Sequence, residues 1–130
     1  MMKWFFGSLL ALCIMLSAFR KKNSESGFVR QNLEFADRQI KLMLKDIDGD
    51  STFPRTTDAA GKLISTNMYD WTPGFFPGNL WYAYEFNHDT ALKTEAIRWT
   101  EKLEPLKDFT EHHDLGFMMY CSFGNAYRLT

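Results

Sequence analysis

The chain has 130 residues, a formal net charge of −1 and 45% hydrophobic residues, which suits one small globular domain. That charge excludes the basic excess by which a phosphate-binding domain holds nucleic acid, so no nucleic-acid partner is expected. Aromatic residues are the outlying class: 12 Phe, 5 Tyr and 4 Trp make 16% of the chain, and Trp and Tyr supply the flat apolar faces that suit sugar rings as well as cores.

Met1 to Phe19 reads as a secretory signal. Lys3 gives a short basic start, Trp4 to Met15 is apolar apart from Gly7 and Ser8, and Ser17-Ala18 offers small residues for cleavage. The apolar run falls short of the roughly 20 residues of a spanning helix. Export to a periplasm is expected; Arg20-Lys21-Lys22 after the run opposes export and keeps an uncleaved anchor as the alternative. Leu16-Ser17-Ala18 opens like a bacterial lipobox, but Phe19 stands where that motif needs cysteine. Cys13 lies in the signal, which leaves Cys121 alone and predicts a buried structural thiol.

Residues 20–28 are polar and read as a linker, and residues 29–130 as the folded part. Val29, Leu33, Ala36, Ile40, Met43, Leu44 and Ile47 recur at spacings of three and four, which predicts a first helix with one apolar stripe. Asp46, Asp48 and Asp50 resemble the start of a calcium loop. That loop needs glycine and glutamate where Ser51 and Thr57 stand, so an acidic solvated turn is expected instead. Thr52 to Tyr69 has no clean periodicity and reads as a long loop, in which Arg55 and Lys62 could meet an anion.

A second helix is predicted over residues 79–86, ended by Asn87-His88-Asp89. Asp89-Thr90 caps a third, with Leu92, Ala96, Trp99 and Leu103 inward, until Pro105 stops it. A loop over 107–113 leads to a fourth helix, with Leu115, Met118, Met119, Ser122, Phe123, Ala126 and Leu129 on one face. No strand-type alternation of useful length appears, so the expected fold is all-α. Short connections pack neighbouring helices antiparallel. The second and fourth helices then run the same way, and the stretch before each comes to one rim.

Both stretches carry chemistry. In His112-His113-Asp114-Leu115-Gly116-Phe117 an aspartate stands at a helix start, where it either caps the helix or serves as the ionised carboxylate of a site, favoured by unpaired N–H groups and the positive helix end. Chemistry on a glycosidic or vinyl-ether bond usually needs a second, protonated carboxyl group, and nothing aims Glu111 at the same point. His112 and His113 either orient the loop or hydrogen-bond a sugar hydroxyl. Adjacent residues seldom ligate one ion and no His-x-x-x-His spacing is present, so no metal is expected. In Asp70-Trp71-Thr72-Pro73-Gly74-Phe75-Phe76-Pro77-Gly78, two glycines and two prolines hold a loop in fixed shape; Trp71 can stack on a sugar ring, with Phe75 and Phe76 packed beneath.

The chain resembles glycoside hydrolase family 88, the unsaturated glucuronyl hydrolases. The segments that carry the resemblance are Phe53-Pro54-Arg55, Asp70 to Tyr82, His113 to Met118 and Ser122 to Leu129, in that order within residues 29–130. The resemblance implies an (α/α)6 barrel of alternating inner and outer helices, of which this chain covers about the first third. It also implies a substrate, lyase-generated glycosaminoglycan oligosaccharides with a 4,5-unsaturated glucuronic acid at the non-reducing end, and a reaction, hydration of the C4=C5 bond. No metal, organic cofactor or protein partner is implied. The family's first essential aspartate falls on Asp114 and its ring-stacking tryptophan on Trp71; its proton-donor aspartate falls beyond Thr130, so the 130 residues alone are expected to be an inactive N-terminal fragment. Pro73 departs from the serine common at that position, and any hydrogen bond made by that hydroxyl is lost. The alternatives are the related unsaturated rhamnogalacturonyl hydrolases, whose motifs match less well, and a non-enzymatic fragment that binds glycans through Trp71 or folds poorly.

Overall fold

Residues 26–47 and 52–130 are described by the computed structural model, and they divide into two units between Phe35 and Ala36. The expected signal, most of the linker, and Asp48 and Asp50 of the acidic turn lie outside the described residues. Helix α1 covers residues 26–46 and so includes Ser26 to Phe28, the end of the expected linker. In the first unit Phe28, Val29, Leu33 and Phe35 are exposed. In the second, Ile40, Met43, Leu44 and Ile47 are half-buried against the core, so only the later half of the predicted stripe is partly covered. Among the described residues no helix is long and apolar enough to cross a membrane.

An all-α chain does not describe the next segment. Strands β1 (Phe53–Thr57) and β2 (Leu63–Thr66) form an antiparallel hairpin, with Phe53 opposite Thr66 and Thr57 opposite Leu63. Its turn is built by the Asp58 carboxylate, which accepts from the Ala60 and Lys62 N–H groups, and by Gly61 at φ 81°, a left-handed angle that glycine takes without strain. The hairpin escapes periodicity because it is short, only Phe53 is fully buried, and the register shifts between Pro54 and Thr56, which breaks the two-residue alternation at Arg55.

Helix α2 (Phe75–Asn87) begins four residues before its predicted start. Pro77 lies in its first turn, where the missing N–H has no intrahelical partner to lose, so the proline does not delay the helix. Helix α3 (Thr90–Glu101) is capped as predicted, the Asp89 carboxylate accepting from Ala91 N–H at 2.9 Å. Leu92, Ala96, Trp99 and Leu103 are buried. The pairs Tyr84 with Lys93, Trp81 with Thr100 and Phe76 with Trp99 show α2 and α3 running antiparallel. A 3-10 turn, Glu104–Asp108, then puts Leu106 into the same core.

The last helical run has three parts: α4 (Leu115–Met119), a π-helical turn over Tyr120–Gly124, and α5 (Asn125–Leu129). It packs on α2 with partners that advance together. A Cβ on Gly74 would lie 2.6 Å from the Met118 carbonyl oxygen, one on Gly78 would lie 3.1 Å from that of Cys121, and Arg128 grips Glu85 through two hydrogen bonds of 2.5 and 2.8 Å. The two elements therefore run in the same direction, as the topology argument requires. Gly74 and Gly78 are present because two backbones meet there, and both have helical surroundings; they do not stiffen a loop. Cys121 is half-buried, and that burial pushes its thiol pKa up.

Candidate active site

Two turns precede the parallel helices α2 and α4, and side chains from both gather at that end. In the first, Asp70 is a hub. Its carboxylate accepts from the Thr72 N–H at 3.0 Å, from the Thr72 hydroxyl at 2.6 Å and from Arg55 Nε at 3.2 Å. Burial alone would raise the Asp70 pKa; the Thr72 bonds and the Arg55 guanidinium outweigh it and hold the carboxyl below its ordinary value. Trp71, between the two anchored residues, is 45% exposed. Its indole meets Phe75 edge-on at 5.9 Å, and Phe75 meets Phe117 at 4.8 Å, so three rings run from the Trp71 turn to the α4 start. Phe76 is buried against Trp99, as expected of a ring beneath the site. Phe75 is not beneath it: it is 41% exposed and bridges the two turns. Trp71, Phe75, Arg55 and Asn79 share one wall system around a cleft of about 550 Å³.

In the second turn, Asp114 stands at φ −88°, ψ 3°, and its carbonyl accepts from Met118 N–H to start α4. Its side chain makes no capping hydrogen bond. The cap reading therefore fails for the carboxylate, whose near neighbours are the His112 and His113 imidazoles. The Asp114 N–H instead donates to His112 Nδ1 at 3.1 Å, which occupies that lone pair and leaves the proton of a neutral imidazole on Nε2. His112 is thus the histidine that orients the turn. His113 is almost fully exposed, with Nε2 3.4 Å from Asp114 Oδ2, and is the one placed to reach a solute.

Donor atoms of His112, His113 and Asp114 lie within 4.8 Å of one another, close enough in distance for a metal ion. The ring geometry opposes it. A metal lies in the plane of each imidazole that binds it, and the two imidazoles are stacked, 5.4 Å apart with planes 5° from parallel, so one ion cannot sit in both planes. Of the residues singled out in the sequence, Trp71, His113 and Asp114 all stand at this end of the helices. Asp70 and Arg55 have no such role legible in the sequence. Their contacts depend on a turn and a bulge, and the only advance signal was the Asp-x-Thr spacing of a side chain that folds back on its own backbone.

No family model matches the chain. It is 36% identical over 108 residues to an unsaturated glucuronyl hydrolase of Formosa agariphila, an overlap that covers 82% of this chain and 27% of that protein. It is 33% identical over 95 residues to an unsaturated chondroitin disaccharide hydrolase of Streptococcus pyogenes, covering 69% of this chain and 23% of that one. A crystal structure of an unsaturated glucuronyl hydrolase specific for heparin superposes with a TM-score of 0.70 at 40% identity, over 77% of this chain and 27% of the solved one. The chain belongs to the unsaturated glucuronyl hydrolase family. It spans about a quarter of the length of these relatives. As a member of that family it is similar to glycoside hydrolases.

Proposed function

We propose that this chain is the N-terminal part of an exported glycoside hydrolase that removes a 4,5-unsaturated glucuronic acid from the non-reducing end of lyase-generated glycosaminoglycan oligosaccharides. The observation that carries the reading is Asp114: a carboxylate that caps nothing, beside two imidazoles, at the same end of parallel helices as an exposed tryptophan. Trp71 stacks on the unsaturated ring, whose flattened C4=C5 segment matches an indole face. His113 hydrogen-bonds a ring hydroxyl, and Asp114 works on the reacting face.

Hydration adds a proton at C4 and a water oxygen at C5. The hemiketal so formed opens to a 5-keto sugar, C1 collapses to the aldehyde, and the next sugar leaves with its own oxygen. Asp114 supplies one carboxyl group of the pair this chemistry needs, and the proton donor is supplied from beyond residue 130. The antiparallel α2 and α3, followed by a run parallel to α2, support a reading as the first helices of an (α/α)6 barrel.

The test uses the chain carried to the length of its relatives, offered unsaturated chondroitin or heparin disaccharides and, separately, an unsaturated rhamnogalacturonan disaccharide. The expected result is loss of the C4=C5 ultraviolet absorbance together with release of the amino sugar from the former. Faster turnover of the rhamnogalacturonan disaccharide would move the protein to the pectin-degrading alternative, and saturable binding without turnover would make it a glycan-binding protein.

A further inference from the structure

Arg55 occupies the irregular position of the hairpin, where the register shifts between Pro54 and Thr56. Such a bulge leaves one residue out of the ladder and re-aims its side chain. Here the side chain reaches across 15 residues of sequence to the turn that carries Trp71, and its Nε donates to Asp70 Oδ2. The other Asp70 oxygen is taken by both donors of Thr72. Residues on either side of Trp71 are thereby fastened, one of them to a separate element. The pair is half-exposed on the Arg55 side, where an ion pair contributes little to stability, so its geometry matters more than its energy. The indole it flanks lines the cleft together with Arg55.

We propose that Arg55, through Asp70, is a positioning residue that sets the orientation of the Trp71 ring platform and hence the affinity for the sugar stacked on it. This rests on the proposed role of Trp71. Arg55 acts through Trp71 and touches no reacting atom, so its removal raises KM and leaves kcat nearly unchanged, and its effect disappears once the indole is gone.

The experiment is a mutant cycle of Arg55→Met and Trp71→Ala in the full-length protein, with an unsaturated chondroitin disaccharide as substrate, beside the indole N–H resonances of the same variants. Arg55→Met is expected to raise KM about tenfold, a mid-range coupling for groups in one network. Arg55→Lys recovers part of that loss by restoring the charge without the planar fork. The double variant matches Trp71→Ala alone. In the spectra Arg55→Met moves the Trp71 indole signal and leaves those of buried Trp81 and Trp99 in place, which also shows that the variant folds. A stationary Trp71 signal, or effects of the two substitutions on KM that multiply, would overturn the proposal. If no disaccharide is turned over, the proposed function fails by itself, and the indole signal still decides whether Arg55 holds Trp71.

Discussion

Asp114 makes a division of labour at the level of single residues. Its backbone starts α4 and its N–H fixes His112, while its carboxylate takes no part in capping. Asp114→Asn is therefore expected to leave the thermal midpoint nearly unchanged, whereas a working cap would lose about 1 kcal/mol on removal; a melt of the two proteins checks this. Asp70 has the opposite character, a carboxylate committed to structure. Its pKa is lowered in the fold, so the Arg55–Asp70 contribution is fully present above the ordinary carboxylate range and is lost as pH falls through the lowered value. The Trp71 indole resonance should accordingly shift on acidification below that range and stay fixed between pH 5 and 7. The residue types of the site were legible in two motifs, Trp71 and Asp114 with His113. The capping ambiguity at Asp114 was not resolvable there, because an N-cap and a free carboxylate look identical in sequence and differ only in where the side chain turns.

Among elements, the contact between α2 and the last helical run brings the two turns together, and it depends on Gly74. The position has an ordinary helical φ, so its glycine serves space and not backbone angle. Gly74→Ala forces a methyl group against the Met118 backbone and is expected to cost about 1–3 kcal/mol, read as a lower denaturation midpoint at unchanged slope. The parallel course of these helices followed from loop lengths alone, and the third helix from its cap and its stripe. The hairpin did not, since a bulge and one buried residue leave no period to detect. The early start of α2 was hidden for a different reason: two prolines and two glycines resemble a loop, although Pro77 in a first turn and Gly78 against a neighbouring backbone are both compatible with helix.

For the molecule as a whole, the last helical run shows what remains uncovered. Tyr120 and Tyr127 are 79% and 90% exposed, and with Tyr82 they flank the Glu85–Arg128 pair. A run that packs on one side and presents aromatic rings on the other gains only part of the burial a helix layer normally provides. The 130 residues alone are thus expected to melt broadly or to aggregate, without the sharp transition expected of the full-length protein; differential scanning calorimetry of both distinguishes the cases. The most direct measurement compares the full-length protein and its Asp114→Asn variant on an unsaturated glycosaminoglycan disaccharide, following the C4=C5 absorbance. Loss of absorbance with the first, and a rate lower by about 10²–10⁴-fold with an equally folded second, is the predicted result. Equal rates from the two proteins would contradict it.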